Sequence, residues 1–126
     1  MFETKDSGTR KEFATGMLRD ADEGKLRLDL IYLPMLERWA GLMTRGAQKY
    51  SARNWEKAET QEELDRFIES AFRHFYQWLS GQTDEDHAAA VWFNICGAEM
   101  VKEKLANKQG FYYICGTKFE GRIVWD

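Results

Sequence analysis

The sequence has one proline, Pro34, two cysteines, two histidines and no large excess of either charge. A single proline in 126 residues, without repeats, excludes collagen-like and proline-rich modules. Two histidines and two widely spaced cysteines, Cys96 and Cys115, do not suit a structural zinc site. No apolar run approaches the roughly 20 residues that span a bilayer. The polar stretch from Met1 to Arg10 has no signal-peptide pattern, so a cytoplasmic location with reduced thiols is expected, and no membrane partner. The net charge of −3, from 18 basic and 21 acidic residues, argues against bulk nucleic-acid coating, and no direct DNA binding is expected. Walker-type glycine loops, serine elbows and dinucleotide fingerprints are missing too. Any nucleotide site must therefore come from side chains on helices and on the amino-terminal arm.

Apolar and aromatic residues, by contrast, are plentiful. They make up 44% and 14% of the chain, with five Trp and eight Phe, which excludes wholesale disorder. The length suits one domain with a real core. It divides into an irregular, basic, glycine-punctuated arm over 1–31, a helical core over 32–106 and a carboxy-terminal hairpin over 107–126.

Within the core, Pro34 suits a first helical turn, and Leu36, Trp39, Ala40 and Met43 follow at helical spacing towards Gly46. A polar connection carrying Lys49, Arg53, Asn54 and Trp55 comes next, a mixture that often binds ligands and as often tucks a Trp into the core. Thr60 and Glu63 form a capping box that starts a second helix, running to about Leu79. Thr83 or Asp84 is expected to cap a third helix, running to about Leu105 and antiparallel to the second across a short turn. After a stop at Asn107 to Gly110, Phe111 to Cys115 and Arg122 to Trp125 read as two short strands.

Carboxylates concentrate on the two paired helices. Glu62, Asp65 and Glu69 fall at offsets i, i+3 and i+7 down one side of the second helix, with Arg73 continuing the row and His74 at the opposite edge of the apolar stripe. Taken alone, such a row is better explained as a solvated acidic face. Asp84, Glu85, Asp86 and His87 open the third helix, where the helix dipole alone favours acids. His87 and Asn94, seven residues apart, align with Val91 on a face that should be partly buried. Gly97 and Ala90 are small enough for close helix approach. Facing carboxylates on antiparallel helices can form an oxygen-rich pocket for Mg²⁺ or Mn²⁺, and such an ion beside basic side chains fits phosphoryl chemistry.

Phe13 to Gly16, Arg19, Asp20, Gly24, Lys25, Arg27, Asp29, Leu30, Gly46, Lys49, Tyr50, Asn54, Trp55, Ser70, Arg73, His74, Gly81 and Asp84 to His87 through Asn94 form an ordered series. Over about residues 13–105 the series resembles the phage dATP/dGTP diphosphohydrolases, a branch of the all-α, MazG-like nucleotide pyrophosphohydrolases that includes the MazZ enzymes. The resemblance implies an all-α antiparallel bundle that hydrolyses a purine deoxynucleoside triphosphate, dGTP ahead of dATP, to monophosphate and pyrophosphate. It implies Mg²⁺ or Mn²⁺ held by Glu69 and Asp86, with Glu62, Asp65 and Glu85 as further ligands. Arg73, His74 and His87 match the family motif as catalytic candidates. Lys25, Arg27, Lys49 and Arg53 are candidates for phosphate, Asn54 and Trp55 for the base, and Asn94 for substrate. A homodimer or homotetramer is implied, in keeping with the aromatic surplus.

The wider superfamily pattern, Glu-Glu-x-x-Glu followed by Glu-x-x-Asp, is not present in full: Arg66 and Ala89 stand where its final acids would be. Two other readings stay open. One is an HD-type enzyme that removes triphosphate from dGTP, although two histidines are few for such a site. The other is a non-enzymatic helical module that binds a nucleotide or a protein.

Overall fold

The structure is a computed structural model that describes residues 1–121. The chain divides into two compact units at Ile31 and Tyr32.

The amino-terminal unit is not irregular throughout. Strands β1 (Arg10–Glu12) and β2 (Leu18–Asp20) pair antiparallel, with Arg10 opposite Asp20 and Glu12 opposite Leu18. Asp20 organises this ribbon, accepting from Ser7 and Arg10 and lying 3.6 Å from Lys25 Nζ. Three-residue strands with both faces exposed carry no hydrophobic alternation, so their sequence gives little sign of them.

The second unit is built on three helices. Helix α1 spans Leu33–Lys49, with Pro34 in its first turn as its fixed φ favours. It runs through Gly46 rather than ending there, and its last turn closes with Tyr50 N–H donating to Gly46 O at 3.0 Å. Helix α2 (Gln61–Leu79) starts at the expected capping box: Glu63 N–H donates to Thr60 Oγ1 at 3.2 Å, and Thr60 N–H donates to Glu63 Oε1 at 3.2 Å. Helix α3 (His87–Gln109) starts two residues later than Asp84 allows and runs four past Leu105. Its cap is Asp86, whose Oδ1 accepts from Ala89 N–H at 3.1 Å. Gly110 ends it in the left-handed conformation, φ 84°, where glycine has no Cβ penalty.

Helices α2 and α3 pack antiparallel, His74 meeting His87 at one end and Phe67 meeting Phe93 and Gly97 nearer the middle. Gly97 makes that approach possible, since a Cβ there would lie 2.6 Å from Phe67 Cζ. The core follows from this contact. Ala58, Leu64, Ala98, Val101 and Leu105 are buried, and Phe67, Ile68, Tyr112 and Ile114 pack against them. Helix α1 leans on α3 through stacked Trp39 and Trp92, whose ring centroids are 5.3 Å apart.

The hairpin turns earlier in the sequence than expected. Strand β3 (Phe111–Ile114) pairs with β4 (Thr117–Glu120), so the second strand precedes Arg122. The stretch from Arg122 to Trp125 lies outside the described residues. Cys115 (φ 48°) and Gly116 (φ 82°) form the two-residue turn, and two positive-φ residues match the right-handed strand twist. Gln61 ties this hairpin to α2, donating to Tyr113 O at 2.9 Å and accepting from Tyr113 N–H at 2.8 Å. No helix of the described residues is long and apolar enough to cross a membrane.

Candidate active site

The acidic row on α2 borders a groove. A depression of about 640 Å³ is lined by Asp65, Ile68, Glu69, Phe72 and Arg73 of α2 and by Cys115 and Gly116 of the hairpin turn. Helical periodicity puts Asp65, Glu69 and Arg73 in line, and the Gln61 tether holds the turn beside them. Glu69 lies 3.5 Å from Arg73 Nη1 and 3.8 Å from Arg66 Nη1, while Asp65 accepts from Gln61 at 2.7 Å. Glu62 is exposed one turn earlier. Phe72 is 76% exposed, so an apolar ring stands next to the carboxylates.

A second cluster sits where α2 gives way to α3. His74 Nδ1 and His87 Nδ1 are 2.9 Å apart, and His87 Nε2 is 2.8 Å from Asp84 Oδ1. Glu85 brings a carboxylate oxygen into the same group. Burial holds the His74 imidazole below the ordinary histidine value, against the opposing pull of Glu85. The hydrogen bond from His87 lowers the Asp84 carboxyl.

Asp86 belongs to neither group. Arg38 of α1 grips it with two hydrogen bonds, 2.8 Å from Nε and 2.7 Å from Nη2, and this guanidinium lowers its carboxyl to about 2. The antiparallel register explains its distance from Glu69. With His74 facing His87, Glu69 and Asp86 lie in opposite directions along the bundle, about 9 Å apart by helical rise alone. A single chain does not bring these two carboxylates together.

The remaining candidates are spread over the fold. Asn94 is buried and donates to Ala90 O of its own helix at 2.8 Å. Trp55 meets Phe93 edge-on, with centroids 5.9 Å apart, and Asn54 opens the same short helical turn. Arg53 pairs with Glu56 at 2.7 Å, and Lys49 lies over the Tyr50 ring at 5.1 Å. In the amino-terminal unit, Arg27 pairs with Asp29 at 2.7 Å and Lys25 with Asp20. Three participants carried no sequence signal of their own. Arg38 acts across 48 residues, and Phe72 and Gly116 acquire their place from the packing of hairpin on helix. Asp84 had one: an acid three residues before a histidine can reach its ring.

Mg²⁺ takes oxygen ligands, commonly one or two carboxylates with water and substrate phosphate completing its shell. Asp65 and Glu69 supply that donor chemistry in the groove, and the same oxygens suit Mn²⁺.

The acids and the arginine thus line one side of α2 beside the hairpin turn, within a helical unit. The model of the dATP/dGTP diphosphohydrolase N-terminal family matches residues 15–109, ending where α3 ends. The match covers most of the sequence, and the chain belongs to this family. No curated protein and no solved structure matches it.

Proposed function

We propose that the chain hydrolyses a purine deoxynucleoside triphosphate, dGTP or dATP, to the monophosphate and pyrophosphate, with Mg²⁺ or Mn²⁺ as cofactor. The observation that carries this reading is the family match across all three helices, which takes in Asp65, Glu69, Arg73, His74 and His87. The groove chemistry supports it. Asp65 and Glu69, with Glu62 a turn away, are the carboxylates to hold a divalent ion against a triphosphate. Such an ion, when bound, neutralises phosphate charge and makes a coordinated water more acidic. Arg73, now on Glu69, is placed to take phosphate oxygens once that carboxylate turns to the cation. Phe72 offers a ring for the purine to stack on. Attack of water at the α-phosphorus breaks its bond to the bridging oxygen and releases pyrophosphate.

Asp86 enters this site by rearrangement or from a second copy. A homodimer or homotetramer is part of the proposal, supported by the rings that α2 leaves exposed. Lys49 and Arg53 are retained as phosphate contacts and Asn54 and Trp55 as nucleoside contacts, whereas the buried Asn94, whose amide donates to Ala90 O, is given up as one.

Incubation with each dNTP and Mn²⁺, followed by separation of the products, tests the reading. dGMP or dAMP with pyrophosphate is expected, and Glu69→Gln is expected to abolish turnover while far-ultraviolet circular dichroism stays unchanged. Inorganic triphosphate would instead indicate an HD-type reaction. Tight binding without product would indicate a nucleotide-binding module.

A further inference from the structure

The histidine pair is chemically distinct from the acidic groove and lies elsewhere on α2. Five residues separate His74 from Glu69, which at ~100° per residue turns the imidazole about 140° away round the helix. His74 and His87 present the same ring atom to each other, Nδ1 to Nδ1 at 2.9 Å, with centroids 5.1 Å apart and planes tilted by 37°. Glu85 contributes the third ligand atom, and the three atoms lie within 4.8 Å of one another. Among the described residues this is the one group of three metal-ligating side chains so closely drawn together.

The proton positions follow from Asp84. A carboxylate accepts and does not donate, so the 2.8 Å contact requires a hydrogen on His87 Nε2. Two N–H groups cannot face each other at 2.9 Å. When both imidazoles are neutral, His87 turns the lone pair of Nδ1 towards His74, and His74 Nδ1–H fills the space between the rings. A cation could replace that hydrogen if His74 adopts its other neutral tautomer, with the hydrogen on Nε2. The side chain of His87 is 1% exposed, so its orientation is fixed by packing and by Asp84 behind it. A carboxylate behind a histidine is also the arrangement that orients metal-ligating imidazoles. Glu85 is exposed and leaves the group open to solvent on one side.

We propose that His74, Glu85 and His87 bind one divalent transition-metal ion, with Asp84 positioning His87. Two imidazole nitrogens and one carboxylate oxygen favour Fe²⁺, Co²⁺, Ni²⁺ or Zn²⁺ over Mg²⁺ and Ca²⁺, which take oxygen. The ion would close the α2–α3 connection, separately from the cation that the acidic groove takes with substrate.

Cobalt(II) provides the test, because its visible d–d bands report nitrogen ligation without reference to activity. The full chain, free of any histidine tag, is titrated with Co²⁺, and bound metal is counted after dialysis. About one Co²⁺ per chain is expected, with bands that millimolar Mg²⁺ does not remove. His74→Ala should weaken binding at least tenfold, and Asp84→Asn should weaken it by roughly 10-fold or more. Exposed Glu85→Gln should shift the bands and weaken binding even if a histidine variant folds poorly. Glu69→Gln should bind Co²⁺ like the wild type, which separates this centre from the groove. Equal binding by wild type and His74→Ala, displacement by Mg²⁺, or loss of Co²⁺ in Glu69→Gln would each overturn the proposal. A chain that binds Co²⁺ as described yet hydrolyses no dNTP would overturn the hydrolase reading alone.

Discussion

Asp86 has two attachments in the folded chain, one to Ala89 N–H at the start of α3 and one to the Arg38 guanidinium of α1. Their contributions differ in kind. Losing an N-cap oxygen costs about 1 kcal/mol, whereas a half-exposed ion pair contributes between about 0 and 1 kcal/mol. Arg38 is 49% exposed, so its charge stays hydrated if the partner goes. Asp86→Ala should therefore destabilise the fold by about 1–2 kcal/mol in urea unfolding. Asp86→Asn keeps a capping oxygen and should lose less than about 1 kcal/mol. Equal losses in the two variants would mean that the charge, and not the cap, dominates. Part of the candidate chemistry was legible at this scale: the acids of α2 and both histidines stand out by type and spacing. Which acid caps α3 was not, because Asp84, Glu85 and Asp86 are adjacent and the choice depends on Arg38, 48 residues away.

Between elements, the α2–α3 contact depends on a missing side chain. Phe67 lies against Gly97 so closely that any Cβ there would force the ring or the helix to shift. Gly97→Ala should lower stability by about 1–3 kcal/mol despite alanine's better helix propensity, as overpacking of a filled contact does. A melting temperature equal to or above that of the wild type would show that the helices can separate freely. At the start of α2, Glu63 accepts from the backbone of Glu59 and then from Thr60, and these bonds hold its carboxyl below the ordinary glutamate value. A carboxyl lowered by folding stabilises the fold fully above its unfolded pKa, about 4.3, and that stabilisation fades as pH falls further. Thr60→Ala should cost about 1 kcal/mol at neutral pH, with the gap to wild type narrowing below about pH 4 in chemical unfolding. Helices with such local signals could be read from the residues alone. The hairpin turn could not, since cysteine in a left-handed position lacks the Asn-Gly or Asp-Gly signature, and the pairing of His74 with His87 depends on interhelical register.

At the scale of the molecule, the aromatic surplus divides unequally between interior and surface. Leu64 and Val101 are the largest fully buried side chains, while Phe72, Phe75, Trp78, Leu79 and Ile95 are each about half exposed or more. Two of these rings, Phe72 and Phe75, border a largely apolar groove of about 330 Å³ that also includes Ile68, Ala71, Val91 and Ile95. Ile68 and Phe72 also line the acidic groove, so the apolar face and the Asp65–Glu69 carboxylates adjoin. A second copy seated on that face would cover apolar surface that costs free energy in water, at roughly 25 cal/mol per Å². It would also carry new side chains to the rim of the acidic groove, where one chain supplies few donors. Such seating would couple assembly to the proposed hydrolysis. Phe75→Asp should place an ionised carboxylate in the pairing face, giving a folded monomer by light scattering together with a loss of dNTP turnover. The acidic groove does not include Phe75, so a monomeric variant with intact carboxylates and poor turnover would mark the site as shared between copies. Wild-type protein that is monomeric at micromolar concentration and fully active would show instead that one chain carries the whole site.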